Sequence, residues 1–121
     1  MPGSVGIDLT SLAEVRDSIQ TFGQRYLERV YTRRELDECR ADPGPLATRF
    51  AAKEATMKAL KAADRLPWHS IAVEGGETGR PALHLTGAAA SLARRRGVAS
   101  ASVTFTYNAW HAAAVVLMEA D

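Results

Sequence analysis

The chain has 121 residues, of which 46% are hydrophobic, and a formal net charge of +1. This length predicts a single domain over residues 1–121, and the low charge argues against a broad nucleic-acid surface. No stretch approaches the roughly 20 apolar residues that cross a bilayer, and the N-terminus lacks the regions of a signal peptide. We therefore expect a cytoplasmic protein with no nucleic-acid or membrane partner.

The first half of the chain predicts a strand followed by helices. Ser11 and Thr32 are each followed three residues later by Glu, a sequence typical of a capping box at a helix start. In chain order we expect a short buried strand over 4–8, helices over 12–22 and 24–30, a helix over 33–41, a loop over 42–45 and a long helix over 46–62.

The second half predicts mainly strands. We expect strands over 71–74 and 82–85 joined by a turn at 75–79, a helix over 87–96 capped by Thr86 and ended by Gly97, and strands over 101–107 and 112–118. The last strand is almost wholly apolar, so it should be central in a sheet or at a subunit interface. The pattern is α+β, with a small, mostly antiparallel sheet packed on a long central helix.

The basic residues favour local anion sites. Of the 15 Lys and Arg residues, 12 are Arg, and a guanidinium binds phosphate or carboxylate through two parallel hydrogen bonds. The single cysteine, Cys39, excludes an internal disulfide.

One carboxylate lies on the apolar stripe of the long predicted helix. At about 100° per residue, Glu54 falls between Phe50 and Met57, where an isolated charge costs several kcal/mol. Lys58, one turn later, is one possible partner. A metal ion is the stronger candidate, because Asp8 presents a second carboxylate at the end of the first predicted strand. Two oxygen ligands with room for water and phosphate suit Mg²⁺. The plainer alternatives are a turn acid at Asp8 and a solvent-facing Glu54–Lys58 pair.

Four blocks of sequence follow one another in a characteristic order. They are Val-Gly-Ile-Asp-Leu at 5–9, Glu-Arg-Val-Tyr-Thr-Arg-Arg-Glu-Leu at 28–36, Arg-Phe-Ala-Ala-Lys-Glu-Ala at 49–55 with Lys58 four residues after the Glu, and Gly-Arg-Pro-Ala-Leu at 79–83. In order and spacing, over nearly the whole chain, they resemble the holo-acyl-carrier-protein synthase type of 4′-phosphopantetheinyl transferase. The third block is the most specific of the four.

The resemblance implies the 4′-phosphopantetheinyl transferase fold and a reaction. The enzyme would transfer the phosphopantetheine arm of coenzyme A, its substrate, to a serine of an apo acyl carrier protein and release 3′,5′-ADP. Asp8 and Glu54 would hold Mg²⁺ on the pyrophosphate, and Lys58 would contact phosphate oxygens, so these three are the expected catalytic residues. The attacking hydroxyl belongs to the carrier protein, and Glu54 acting through a water is our candidate for its base.

Binding surfaces follow from the same resemblance. Arg49 and Lys53 would bind the nucleotide end of coenzyme A, and Gly79, Arg80 and Pro81 would line its adenine side. Carrier proteins are acidic, and Arg16, Arg25 and Arg29 are the expected docking residues. Members of the family are usually homotrimers with active sites between protomers.

The chain departs from the family at Thr106-Tyr107-Asn108, where Ser-His is usual. Thr106 and Tyr107 would therefore lie at the coenzyme A site, but a phenol carries no positive charge at pH 7, so we expect weaker binding or slower transfer. A plainer reading packs Tyr107 in the core beside Phe105 and Val103. The departure also leaves open an alternative function, a non-catalytic paralogue that binds coenzyme A or a carrier protein without transfer.

Overall fold

A computed structural model describes residues 3–76 and 79–121. The elements in chain order are β1 (Ser4–Ser11), α1 (Leu12–Phe22), α2 (Gln24–Val30), α3 (Arg33–Cys39), α4 (Pro43–Ala59), a 3₁₀ turn (Trp68–Ser70), β2 (Ile71–Glu74), β3 (Ala82–Leu85), α5 (Gly87–Arg95), β4 (Ser100–Tyr107) and β5 (His111–Glu119). The predicted α+β class is confirmed. Across the described residues, no helix combines the length and the apolar character needed to span a bilayer.

The strands form two antiparallel sheets packed around α4. One sheet has the order β1-β5-β4 and the other pairs β2 with β3. The apolar β5 is the central strand of the larger sheet, one of the two positions that its sequence predicts. Small side chains let α4 approach the larger sheet closely, because Ala51, Ala55 and Ala59 lie in one core cluster with Val116 and Met118. The long helix is thus the central element of the fold. Its alanine face packs on the larger sheet, and its other side chains are available to form a site.

Strand β1 is longer and less buried than predicted. We expected it to end at Asp8, but all eight residues from Ser4 to Ser11 pair with β5, so Asp8 lies inside the strand. Alternate residues point to opposite faces of a sheet. One face of β1 meets α4, while Val5, Ile7 and Leu9 on the other face are 55%, 60% and 67% exposed. The sheet therefore has an outward face that is apolar yet uncovered in a single chain.

The predicted loop at 42–45 is wrong, because these residues form the start of α4. The Asp42 side chain caps the helix by accepting a hydrogen bond from the Gly44 N–H at 3.1 Å. Pro43 fits at the first helical position, where its missing N–H is not needed. The helix also ends earlier than predicted, at Ala59. Just beyond that end, the Arg96 side chain donates hydrogen bonds to main-chain carbonyls of residues 60 and 61.

Two of the three predicted helix caps are confirmed. Ser11 accepts a hydrogen bond from the Glu14 N–H, and Thr32 and Glu35 form the complete reciprocal box. Thr86 occupies the cap position of α5, but its side chain makes no capping hydrogen bond. The predicted turn at 75–79 connects β2 and β3, with its residues 77 and 78 outside the described part of the chain.

Gly6 is the closest approach between β1 and α4. A Cβ placed on Gly6 would lie 1.8 Å from the Ala55 carbonyl oxygen and 2.8 Å from the Ala59 nitrogen. Both obstacles are backbone atoms that cannot rotate away, so Gly6→Ala should lower the free energy of unfolding by at least about 3 kcal/mol. Urea unfolding measures this loss. Gly79→Ala is the control, because a Cβ there meets no described atom within 4 Å; equal losses in the two variants would contradict the packing argument.

Candidate active site

Two of the three predicted catalytic residues, Asp8 and Lys58, meet where β1 contacts α4. The Lys58 ammonium donates to Asp8 Oδ1 at 2.9 Å and to the Ile7 carbonyl at 3.0 Å. The other Asp8 oxygen accepts a hydrogen bond from the Thr10 hydroxyl at 2.8 Å. Glu54 precedes Lys58 by one helical turn, a spacing that puts two side chains on the same face. The fold therefore brings together residues that are about 50 positions apart in sequence.

Glu54 does not form the pair with Lys58 that the sequence leaves open as an alternative. Its carboxylate binds the Arg65 guanidinium instead, with Nη1 and Oε1 2.8 Å apart. The Glu54 side chain is also 19% exposed, so it lies at the edge of the core and not within it. The helix turns Glu54 toward the segment that follows α4. Arg65 is a site residue that the sequence analysis missed, because no motif marks it and only the fold returns this segment to α4.

The donor set suits a hard divalent cation. Asp8 and Glu54 supply carboxylate oxygens, the ligand type that Mg²⁺ prefers. A groove of about 360 Å³ beside Glu54 and Lys58 leaves space for water and phosphate oxygens. Within residues 3–76 and 79–121, no group of three or more His, Cys, Asp or Glu side chains forms a complete metal site. An ion held here would thus take its remaining ligands from water and substrate.

Arg49 and Lys53, predicted to bind the nucleotide, are fully buried in this chain. The Lys53 ammonium lies 2.9 Å from Glu35 Oε1 and donates to the Trp68 carbonyl at 3.1 Å. The Arg49 guanidinium donates to the Gly75 carbonyl at 2.8 Å. Both cations therefore have internal partners here, and their contact with a nucleotide stays a prediction.

The buried pair of Lys53 and Glu35 ties α4 to α3 and β2. Glu35 also accepts hydrogen bonds from the Thr32 and Val73 N–H groups, each at 2.8 Å. Burial lowers the pKa of Lys53, and the Glu35 carboxylate opposes that shift. The capping role of Glu35 was visible in the sequence; its bond to Lys53 was not, because it depends on how two helices meet.

Breaking this pair from one side should be costly. Lys53→Met leaves the buried Glu35 carboxylate without its cation, and we expect a loss of about 3–5 kcal/mol in the free energy of unfolding. The double variant Glu35→Gln, Lys53→Met removes both charges, so it should be more stable than Lys53→Met alone. Chemical denaturation of the two variants and the wild type makes the comparison. A double variant that is no more stable than Lys53→Met would contradict the pairing.

The segment leading to Gly79, Arg80 and Pro81 is anchored at Gly75. Its N–H donates to both Glu38 carboxylate oxygens, at 3.2 and 3.0 Å, while its carbonyl accepts from Arg49. Beyond the anchor, Gly79 and Arg80 are exposed and Pro81 is half-buried. Arg80 and Pro81 line a cavity of about 590 Å³ on the outward face of β4 and β5.

Tyr107 lies at the opposite end of α4 from Asp8 and Lys58. A Cβ on Gly44 would come within 2.4 Å of the Tyr107 ring, so the ring covers the first turn of the helix. Tyr107 is 49% exposed, and the interpretation that places it in the core is therefore wrong. Thr106 beside it is also exposed.

Two of the three predicted docking arginines line one pocket. Arg25 and Arg29, with Arg65, border a cavity of about 500 Å³ whose walls include Phe50 and Trp68. Arg16 is exposed on α1 but does not line this cavity. The pocket combines arginines with two aromatic rings, since Phe50 and Trp68 contact each other with ring centres 5.1 Å apart and planes tilted by 34°.

Solved structures share this fold. A Helicobacter pylori holo-[acyl-carrier-protein] synthase, crystallised in complex with coenzyme A, is 26% identical and superposes with a TM-score of 0.85, covering 95% of this chain and 99% of that one. The holo-[acyl-carrier-protein] synthase of Neisseria meningitidis is 28% identical with a TM-score of 0.83, covering 96% and 97% of the two chains. The chain thus has the fold of the holo-[acyl-carrier-protein] synthases, a class of transferases.

Sequence comparison identifies the family. The family model of the 4′-phosphopantetheinyl transferase superfamily matches residues 4–115. The holo-[acyl-carrier-protein] synthase of Chlorobaculum tepidum is 35% identical over 120 residues, which are 95% of this chain and 97% of the relative. That of Koribacter versatilis is 36% identical over 119 residues, or 94% and 95%. The chain therefore belongs to the 4′-phosphopantetheinyl transferase superfamily, and the enzyme class predicted from the sequence is confirmed.

Proposed function

We propose that this protein transfers the 4′-phosphopantetheine arm of coenzyme A to a serine of an apo acyl carrier protein. The single observation that carries the proposal is the contact of Lys58 with Asp8, one helical turn from Glu54, in a chain of this family. A carboxylate pair beside an ammonium provides what phosphoryl transfer requires, which is charge neutralisation and positioning without a protein nucleophile.

The reaction exchanges one phosphorus–oxygen bond for another. The serine oxygen of the carrier bonds to the phosphorus that bears the pantetheine arm, the bridging bond of the pyrophosphate breaks, and 3′,5′-ADP leaves. Asp8 and Glu54 would hold Mg²⁺, which neutralises pyrophosphate charge when bound. Lys58 would contact phosphate oxygens where negative charge grows. The serine proton would pass to Glu54 by way of a water.

We assign the two halves of each active site to different protomers. Gly44, under the Tyr107 ring, and Lys58 are 14 residues apart on α4, which is about 21 Å along the helix axis. Arg80 and Pro81 border the outward face of the sheet, whereas Asp8 contacts α4 on the inward face. A second copy that brings its Arg80 and Tyr107 to the Asp8 side of the first would let one coenzyme A meet both sets.

The outward face of the larger sheet supports self-association. Val5, Ile7 and Leu9 of β1 share that face with Val115 and Leu117 of β5, which are 37% and 40% exposed. A contiguous apolar patch of this kind marks an interface. A homotrimer with sites between protomers is the assembly we propose, in the cytoplasm, the compartment expected from the sequence.

The pocket of Arg25, Arg29, Phe50 and Trp68 is our proposed docking site for the carrier protein. Arginines bind carboxylates through two hydrogen bonds, and the two aromatic rings give an apolar side chain of the partner a place to pack. Arg16, exposed on the same helical layer, would extend the cationic surface.

Intact-mass analysis tests the proposal directly. An apo carrier protein incubated with this protein, coenzyme A and Mg²⁺ should gain the mass of one phosphopantetheine group, and should gain none when EDTA replaces Mg²⁺. The alternative, a non-catalytic paralogue, predicts binding of coenzyme A or carrier protein without any mass change. The contact of Asp8 with Lys58, one helical turn from Glu54, supports the enzyme over this alternative.

Tyr107→His tests the departure from the family pattern. A protonated imidazole can form a charge-assisted hydrogen bond to phosphate, worth on the order of 1–3 kcal/mol, that a neutral phenol lacks. We expect the variant to bind coenzyme A more tightly than the wild type, most strongly below pH 7, where imidazole gains its charge. Coenzyme A titrations across pH measure this. Tyr107→Phe is the control without a donor; affinities that are equal for all three proteins at every pH would remove Tyr107 from the site.

A further inference from the structure

We propose that Arg65 couples metal binding to carrier-protein docking. Arg65 is the counter-ion of Glu54 in the structure; a divalent ion bound to Glu54 would replace it, and the released guanidinium would then bind an acidic group of the docked carrier. The inference rests on the proposed function and adds to it a positioning residue that no sequence motif marks.

Arg65 is held from two sides. Its Nη1 lies 2.8 Å from Glu54 Oε1 and 3.7 Å from the Met57 sulfur. Its guanidinium carbon lies 4.8 Å from the centre of the Trp68 ring. These contacts fix the position of the side chain. Because it is 56% exposed, it can still change partners.

The same side chain borders both functional cavities. Arg65 lines the groove beside Glu54 and Lys58, where we place the metal ion. It also lines the pocket of Arg25, Arg29 and Trp68, where we place the carrier. A change in its partner at one cavity therefore changes the charge that lines the other.

Electrostatics gives the direction of the coupling. A divalent ion bound to Glu54 repels a guanidinium at hydrogen-bond distance from the same carboxylate, so the two cations compete. Once displaced, Arg65 keeps its cation–π contact with Trp68 and remains at the docking pocket as a third arginine beside Arg25 and Arg29. Linkage makes the effect reciprocal: metal should strengthen docking by the same factor as docking strengthens metal binding. An exposed ion pair limits that factor to about fivefold or less.

The first test measures metal binding alone. Mn²⁺ is titrated into the full-length protein, and free Mn²⁺ is followed by electron paramagnetic resonance. Arg65→Gln should bind Mn²⁺ more tightly than the wild type, by up to about fivefold, because Glu54 has lost its competing cation. Arg94→Gln removes the same charge from the exposed end of α5 and should leave the affinity unchanged. Equal affinities for the wild type and Arg65→Gln, or an equal gain in Arg94→Gln, would overturn the proposal.

The second test measures the coupling. A fluorescent apo carrier protein with its acceptor serine changed to alanine is titrated with the enzyme, with and without Mg²⁺ at constant ionic strength. Mg²⁺ should tighten docking to the wild type severalfold, and the gain should vanish in Arg65→Gln and in Glu54→Gln. Coupling that survives in Arg65→Gln, or that is missing in the wild type, would overturn the role of Arg65.

Failure of this inference is separable from failure of the proposed function. Wild-type protein that loads an apo carrier in the mass assay, yet shows no Mg²⁺ dependence of docking, keeps its function and loses the coupling. Protein that loads no carrier loses the proposed function itself.

Discussion

Asp8→Asn and Glu54→Gln should each lower kcat/KM for carrier modification by about 10²- to 10⁴-fold, since metal stabilisation of the transition state is worth several kcal/mol. Each change removes one of the two anionic ligands that we propose for Mg²⁺ and keeps the size of the side chain. The surviving carboxylate is paired with a cation, Lys58 or Arg65, and attracts Mg²⁺ only weakly. Initial rates of phosphopantetheine transfer, measured over a range of Mg²⁺ concentrations, should show both variants requiring far more Mg²⁺.

Asp37→Asn is the matched control for this experiment. Asp37 forms an exposed pair with Arg33, with side chains 69% and 86% exposed, and such pairs contribute little. Its rate should equal that of the wild type. The thermal unfolding temperatures of all three variants should stay close to that of the wild type, which separates loss of the metal site from loss of the fold. A normal transfer rate for Glu54→Gln would contradict the assignment of Glu54 as a ligand of Mg²⁺.

Mixing two inactive variants should restore activity. Glu54→Gln damages the metal half of each site and Arg80→Glu damages the nucleotide half. If the halves come from neighbouring protomers, a trimer assembled at random from equal amounts has intact pairs at about one quarter of its sites. We therefore expect the dissociated and reassembled mixture to recover on the order of a quarter of wild-type activity.

Two further results bear on this experiment. Ile7→Asp, introduced into both variants, puts a charge on the outward sheet face and should abolish the recovery together with the trimer, as measured by sedimentation. A mixture that stays inactive although sedimentation finds mixed trimers would mean that each protomer carries a whole site, against our assignment.

The secondary structure was largely readable because its signals are local. Caps at Ser11 and Thr32, the break at Gly23 and the bounds of β2 and β3 depend on neighbours within a few residues. Two predictions fail because they too were made from local signals: the loop at 42–45 and the end of β1 at Asp8. Two prolines after Asp42 predict a loop, yet the first turn of a helix accepts them, and the true length of β1 is set by β5, which lies far away in sequence.

The candidate site was predicted as a set of residues but not as a set of contacts. Asp8, Glu54 and Lys58 were recognised through a pattern of spacing, and the fold does bring Asp8 to Lys58. The exchange of partners, in which Glu54 binds Arg65, could not be predicted, because the orientation of a helix face follows from packing over its whole length. For the same reason, the motif Lys53-Glu54 does not reveal that Lys53 is buried against Glu35.

The pairing of β1 with β5 has a consequence for how the chain folds. Even the nearest partners, Ser11 and His111, are about 100 residues apart, so the central sheet closes a very long loop. Contacts of this range are associated with folding in milliseconds to seconds. Until β5 joins β1, the alanine-rich side of α4 lacks the part of its cover that Val116 and Met118 supply. During synthesis, the helix that carries Glu54 and Lys58 is therefore fully covered only when the last strand, β5, has been made. An interrupted chain would expose the apolar side of this helix to chaperones and proteases.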